Sequence, residues 1–125
     1  MNILLVLATA TFLCGCQKEV MIREVNIRVA NQSNVPFNEV TVQFPSQRAD
    51  YGNILPGEIT EYREIDKAYR YAYVKAWIEG KEAVLQPEDY VGENLLSGGN
   101  YTYVLQYNSE STEKWGRLQL ELEKE

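Results

Sequence analysis

Alternation of apolar and polar residues runs through most of this chain, and this period of two is the strongest constraint on its fold. In an extended strand, successive side chains point to opposite faces, so an alternating run buries one face of a sheet. Beyond residue 22 no stretch shows a convincing helical period. The strand-like runs lie at residues 25–29, 40–44, 59–63, 68–78, 82–85, 101–107 and 118–123. The sequence therefore predicts about seven short strands and an all-β fold.

Turn-forming residues separate these strands. The segment LPGE at residues 55–58 fits a turn in which Pro fixes φ and Gly takes a positive φ, and EGK at residues 79–81 fits a tight hairpin. Residues 68–78 are apolar on both faces, which predicts a central strand, and residues 86–99 form the longest loop. The last two strands predict a hairpin. Together these features predict an antiparallel β-sandwich of immunoglobulin-like type, with a small barrel as the alternative.

The beginning of the chain has a different character. Residues 3–13 are apolar and end in Leu13-Cys14-Gly15-Cys16. This run is too short to cross a bilayer but has the length of a signal-peptide core. Its end resembles the lipobox of bacterial lipoproteins, in which a Leu, a small residue and a Gly precede an obligatory Cys. The resemblance implies cleavage between Gly15 and Cys16 and a diacylglyceryl group on the Cys16 thiol.

This resemblance also divides the chain. Residues 1–15 are a signal peptide, residues 16–22 are the lipidated Cys and a short tether, and residues 23–125 are one β-sandwich domain, since about 110 residues suit a single domain. The signal departs from the usual pattern because no Lys or Arg precedes its core. The alternative is a buried N-terminal strand, which would leave the Cys14 and Cys16 pair unexplained.

Two further resemblances concern the location of the protein in the cell. The segment QKE at residues 17–19 resembles the short Lys and acidic signal of surface-exported lipoproteins of Bacteroidota. The segments AYRYAYV at residues 68–74, VLQP at 84–87 and DYVGE at 89–93 are similar to small lipoproteins of gut Bacteroidota, a group without a settled activity. They imply a lipid-anchored position in the bacterial outer membrane, with surface display favoured over a periplasm-facing position.

Charge excludes one class of partner. The chain has 18 acidic and 12 basic residues, a net charge of −6, and all of them lie beyond Cys16. An acidic domain repels phosphate backbones, so we expect no nucleic-acid partner, and we expect membrane contact only through the lipid on Cys16.

The residue types argue against catalysis. The chain has no His, and the resemblance assigns its one mature Cys to lipid, so neither a triad nor a His-based metal site is available. Glu88, Asp89 and Glu93 could supply a glycosidase-like carboxylate pair, but a chain this rich in acids offers such pairs by chance. These three also lack the spacing of a calcium loop. We therefore expect no enzyme, no metal and no cofactor.

The chain is enriched in tyrosine, with nine residues, and this enrichment points to a binding role. A tyrosine offers an apolar ring face and a hydrogen-bonding tip, so exposed tyrosines on neighbouring strands could form a flat platform on which sugar rings stack. The alternative is that these tyrosines fill the core or pair across strands. The candidate ligand-binding residues are Tyr69, Tyr71, Tyr73, Tyr90, Tyr101 and Tyr103, and Tyr107 would extend the platform.

The other hypothesis is a protein partner. Loops at the ends of a β-sandwich commonly contact other proteins, and the loop at residues 86–99 carries the apolar residues Tyr90, Val91, Leu95 and Leu96. The same residues could instead pack on their own domain. The sequence thus predicts a binding or interaction module whose ligand is a glycan or a protein.

Overall fold

The structure is a computed structural model and describes residues 24–88 and 93–125. These residues form eight strands and one turn of 3₁₀ helix at Lys114–Gly116. The strands are β1 (Val25–Asn31), β2 (Phe37–Gln43), β3 (Arg48–Ile54), β4 (Arg63–Ile65), β5 (Tyr73–Ile78), β6 (Lys81–Leu85), β7 (Gly99–Tyr107) and β8 (Leu118–Lys124). The predicted signal peptide and tether, residues 1–22, and Tyr90 lie outside the described residues.

The strands form two four-stranded sheets packed face to face. The front sheet has the order β3-β2-β5-β6 and the back sheet the order β4-β1-β7-β8. The prediction of an all-β sandwich is therefore confirmed, while its immunoglobulin-like type stays a prediction. Among the paired strands of the described residues, β1 and β7 run parallel and the other pairs are antiparallel. Alternation cannot reveal strand direction, so the parallel pair was not foreseen.

The core lies between the two sheets, and alternation explains its composition. On β5, Val74, Ala76 and Ile78 are buried, while Tyr73, Lys75 and Trp77 face outward. Each fully buried Val or Ile contributes roughly 1.5–3 kcal/mol relative to an exposed one. The strand lies between β2 and β6, so the predicted central position is confirmed.

The predicted turns form with the expected geometry. The backbone N–H of Glu58 donates to the Leu55 carbonyl at 2.9 Å, and Gly57 has a φ of 78°. Glu79 and Gly80 have φ values of 54° and 77°, which gives the two-residue hairpin whose twist matches that of its strands. The last two strands pair as the predicted hairpin.

Three strand predictions need correction. Strand β3 was not foreseen, because its buried residues do not alternate regularly. The strand expected at residues 59–63 lies instead at Arg63–Ile65, with Ile59 making only an isolated bridge to Ala30. The strand expected at residues 68–78 begins only at Tyr73.

The start of β1 defines one end of the sandwich, which we call the tether end. Val25 pairs with Ile65 of β4 and with Gly99 of β7. The turn between β2 and β3 reaches the same end, because the Asp66 N–H donates to the Gln47 side chain at 2.7 Å. The end of β2, the start of β5 and the end of β6 therefore lie beside the point where the chain enters the domain.

Candidate functional site

Residues 68–72 cross the tether end from the back sheet to the front sheet. Ala68 and Ala72 are buried, Tyr69 and Tyr71 are half-buried, and Arg70 is exposed. The alternation expected over residues 68–78 is therefore interrupted at Arg70. The Leu96 N–H donates to the Ala68 carbonyl at 2.8 Å, which fixes the crossing segment against the long loop. The small alanines allow close packing, and the larger tyrosines are left at the surface.

A cavity of about 560 Å³ opens beside this segment, and we call it the tyrosine cleft. Such a volume is typical of a small-ligand site. The Gln43 side-chain NH₂ donates to the carbonyls of Phe44 and Gln47, at 3.0 and 3.1 Å, which fixes one wall. The lining residues are Gln43, Phe44, Pro45, Tyr69, Tyr71, Tyr73 and Gln86. The cleft combines four aromatic rings, those of Phe44 and three tyrosines, with two amide groups.

Tyr71 also lines a second, smaller cavity of about 300 Å³. The other residues of this cavity are Leu85, Pro87, Glu88 and Leu120. Tyr71 is therefore shared by both cavities. This makes it the central residue of the candidate site.

The structure brings three of the predicted tyrosines together and separates two others from them. Tyr101 and Tyr103 are 3% and 0% exposed, because β7 is an internal strand of the back sheet. The exposed platform of six tyrosines is therefore not formed, and core packing accounts for these two residues. Tyr107 is half-buried and packs against the core.

Tyr103 nevertheless supports the tyrosine cleft from below. Its ring stacks on Phe44 with centroids 6.0 Å apart, and its hydroxyl donates to the Tyr69 carbonyl at 2.5 Å. Phe44 is itself a lining residue of the cleft. Tyr103 thus holds the position of two residues that face the cleft without facing it itself.

The long loop is described only in part. Tyr90, Val91 and Asp89 lie in residues 89–92, outside the described residues. Leu95 is 48% exposed, whereas Leu96 packs against the core, so the loop uses one leucine for its own domain and presents the other to solvent. Cys16 and the lipobox residues Leu13, Cys14 and Gly15 also lie outside the described residues.

A second groove, of about 320 Å³, lies on the outer face of the front sheet, and we call it the sheet groove. It shares Gln43 and Tyr73 with the tyrosine cleft, so the two are continuous. Its other lining residues are Glu39, Thr41, Arg48, Lys75 and Trp77. The sequence placed Tyr73 and Trp77 on one face of a strand but gave no signal for Glu39 or Arg48.

The cations of the sheet groove have acidic partners. Arg48 forms an ion pair with Asp50 at 3.4 Å, and Lys75 forms one with Glu82 at 3.3 Å. Lys114 also contacts Glu82, at 3.1 Å. Hydrogen bonds from Lys114 and Lys75 lower the pKa of Glu82 below its ordinary value of 4.5.

Two general features of the described residues complete the description. Within residues 24–88 and 93–125, no group of three or more His, Cys, Asp or Glu side chains is arranged to hold a metal ion. The same part of the chain has no helix long and apolar enough to cross a bilayer.

Comparison with known proteins gives a fold relationship. No protein-family model matches the chain, and no curated protein matches it either. The chain is similar to the NMR structure of a protein from Eubacterium rectale, with a TM-score of 0.54 and 10% sequence identity. The similarity covers 88% of this chain and 94% of that protein. At this identity the similarity concerns the fold alone, and it extends over most of the sandwich.

Proposed function

We propose that this protein is a lipid-anchored, non-enzymatic binding module of the bacterial outer membrane, displayed at the cell surface, whose tyrosine cleft binds carbohydrate. The observation that carries the proposal is the cleft itself, where Tyr69, Tyr71 and Tyr73 converge beside two glutamine amides. The lipobox ending in Cys16 and the following QKE segment support the address.

Sugar chemistry fits this lining. A pyranose ring has an apolar face of C–H groups, which packs on an aromatic ring, and a rim of hydroxyls, which needs donors and acceptors. Tyrosine rings supply the first. The Gln86 amide and the Gln43 side-chain oxygen supply the second, since the Gln43 NH₂ already donates to Phe44 and Gln47. A charged substrate would need charged groups in the cleft, and its lining has none.

The binding role is supported by the residue types. Without histidine, and with Cys16 assigned to lipid, the chain lacks the residues of a Ser-His-Asp triad or a Cys-His pair. Among the described residues, the cleft lining includes no carboxylate, so it supplies neither member of a glycosidase carboxylate pair.

The test is a glycan array probed with the full lipidated chain in detergent micelles. We expect wild type to bind at least one glycan and Tyr71→Ala to lose about tenfold in affinity or more, while Tyr71→Phe keeps the ring and most of the binding. Tyr62→Ala is the matched control. Tyr62 is also half-buried, but it lies in the other half of the molecule, with its ring 4.6 Å from the Arg28 guanidinium carbon.

Two results would contradict the proposal. If Tyr71→Ala binds glycan as strongly as wild type, the cleft is not the binding site. If wild type binds no glycan, carbohydrate is not the ligand. In the second case, crosslinking in cells would test the protein-partner hypothesis. A discrete crosslinked species that disappears in Leu95→Asp would favour it, because Leu95 is the exposed leucine of the long loop.

A further inference from the structure

The sheet groove continues the tyrosine cleft along β5. Tyr73, Lys75 and Trp77 follow one another on the outer face of this strand, and Trp77 is 38% exposed. At about 3.3 Å per residue, Tyr73 and Trp77 lie about 13 Å apart along the strand. Tyr73 and Trp77 therefore lie on the same face of β5, with the side chains of Thr41 and Lys75 beside the path between them. The Lys75 ammonium lies 5.9 Å from the Trp77 ring centroid.

A β-bulge in β2 places Glu39 in this groove. Asn38 pairs with Trp77 and Thr41 pairs with Lys75, so β2 uses two residues where β5 uses only Ala76. The extra residue turns both Asn38 and Glu39 toward solvent, whereas regular alternation would turn one of them inward. Bulges of this kind are a common means of redirecting a side chain at a functional site.

The backbone of Glu39 is held in an unusual conformation. Its φ is 53°, in the left-handed region that favours Gly or Asn, and its N–H donates to the Asn53 side-chain oxygen at 2.9 Å. Glu79 has the same conformation in the hairpin between β5 and β6, so a positive φ alone does not assign a role to a glutamate. At residue 39 the bulge and this conformation together leave the side chain exposed in the groove, which it lines.

Charge in the groove distinguishes between classes of ligand. Arg48 and Lys75 are each already paired with an acid, Asp50 and Glu82 respectively. Among the described residues, no hydrogen bond or ion pair engages the Glu39 carboxylate. An acidic polysaccharide would have to compete with Asp50 and Glu82 for these two cations and would be repelled by the Glu39 carboxylate, whereas a neutral sugar would offer that carboxylate hydroxyl donors.

We propose that the sheet groove is a second sugar subsite, with Trp77 as its stacking ring and Glu39 as its hydroxyl acceptor, and that the ligand is a neutral, linear polysaccharide lying along β5. This inference rests on the proposed function, because the tyrosine cleft supplies the first subsite. The linear form follows from the arrangement, in which cleft and groove share Gln43 and Tyr73 and continue in one direction.

The experiment is a length series measured on the full lipidated chain in detergent micelles. The probes are neutral linear β-glucan, xylan, mannan and α-glucan oligosaccharides of two to six units, with oligogalacturonides of the same lengths as acidic counterparts. We expect a neutral hexasaccharide to bind about tenfold more tightly than its disaccharide, because only the longer chain reaches Trp77. We expect the oligogalacturonides to bind more weakly at every length.

Variants separate the second subsite from the first. Trp77→Ala and Glu39→Gly should remove the gain from length while leaving disaccharide affinity unchanged, and Gly suits the backbone at this position. Glu39→Asn should retain part of the gain, since Asn tolerates a positive φ and keeps an acceptor. Trp115→Ala is the matched control, because Trp115 is 51% exposed but does not line the groove.

The possible failures are distinguishable. If short and long neutral probes bind equally, or if both variants keep the gain from length, the second subsite is absent and the proposed function stands on the cleft alone. Stronger binding of oligogalacturonides would overturn the neutral class of ligand. If no probe binds at any length, the proposed function and this inference fail together.

Discussion

At the scale of single residues, Glu39 has a local conformation at odds with its side chain. Replacing it with Gly relieves the left-handed strain but adds freedom to the unfolded chain, and the relieved strain equals or exceeds the entropic loss. We expect Glu39→Gly to change the free energy of unfolding by between zero and about 1 kcal/mol in the stabilising direction. Urea denaturation followed by tryptophan fluorescence measures this.

A Glu→Gly substitution at an ordinary strand position serves as the control. Glu121 is also an exposed glutamate, in β8, and its φ is not positive. Glu121→Gly should therefore cost about 0.5–1 kcal/mol, as glycine does in an ordinary strand. Equal losses for both variants would show that Glu39 carries no strain.

Asn31 shows how a polar residue can be part of the core. Its side-chain NH₂ donates to the carbonyls of Val35 and Ile54 at 2.8 and 2.9 Å, and its oxygen accepts from the Ser33 N–H and hydroxyl at 3.0 and 2.7 Å. Asn31→Ala would leave these groups unpaired and should lower the free energy of unfolding by about 2–4 kcal/mol. Asn26→Ala, which removes an exposed hydrogen bond to Asn100, should cost less than about 1 kcal/mol in the same denaturation measurement. A small loss of stability in Asn31→Ala would mean that water takes the place of the Asn31 amide and satisfies its former partners.

At the scale of elements, Glu82 connects edge strand β6 to the 3₁₀ turn at Lys114–Gly116. Its carboxylate contacts Lys114 and Lys75, and its carbonyl accepts from the Arg117 guanidinium at 2.7 Å. These contacts lower the pKa of the folded-state carboxyl below 4.5. The unfolded chain therefore binds more protons as pH falls through this range, so the contribution of Glu82 to stability is present above pH 4.5 and is lost below it.

Glu82→Gln tests this sign. Urea unfolding between about pH 3 and pH 7 should show wild type more stable than the variant at the upper end, with the difference vanishing at the lower end. Glu64→Gln should do the opposite, because a hydrogen bond and charge repulsion with Glu24 raise the pKa of Glu64. Its unfavourable contribution grows as pH rises through that raised pKa, so this variant should gain on wild type there. Parallel pH profiles for all three proteins would contradict both assignments.

The sequence predicted the regular strands well and the irregular strands poorly. Strands β1, β5 and β8 alternate between more and less buried residues, and the period of two separated their faces. Strand β7 is buried on both faces over residues 101–105, which alternation does not predict. Strand β3 and the position of Glu39 were not predictable in this way, since paired register shifts interrupt the alternation in β2 and β3. A bulge depends on how strands pair in the tertiary structure, and no local residue pattern predicts this one.

The sequence also predicted only part of the candidate site. Alternation grouped Tyr69, Tyr71 and Tyr73, and the structure places all three around the cleft. The same alternation gave Tyr101 and Tyr103 equal standing, although they are buried. Period distinguishes the two faces of a strand but not which face meets the other sheet, so core and surface tyrosines look alike in the sequence.

At the scale of the whole molecule, the tyrosine cleft and the start of β1 lie at the same end of the sandwich. Residues 17–24 separate Cys16 from Val25, and a chain of this length spans at most about 30 Å. A lipid on Cys16 would therefore keep the cleft close to the bilayer. The sheet groove leads away from that end along β5, toward the hairpin at Glu79 and Gly80. In the proposed arrangement, a polysaccharide arriving from outside would meet Trp77 first and the cleft last.

Cys16→Ser tests the anchor on which this arrangement depends. Wild-type cells should incorporate labelled palmitate into the protein, and fractionation should recover it with the outer membrane, because two or three acyl chains hold far more firmly than one. The variant should lose the label. Proteinase K added to intact cells should degrade the wild-type protein if it is displayed at the surface, and spare it if it faces the periplasm.

Cys14→Ser is the control, since serine is also small and leaves the acceptor thiol intact. It should keep both the label and the membrane fraction. Label on Cys16→Ser would place the lipid elsewhere, and an unlabelled wild type would remove the anchor and with it the reason for the cleft to lie near the bilayer. Neither cysteine lines the cleft, so its sugar affinity in solution should be the same in both variants.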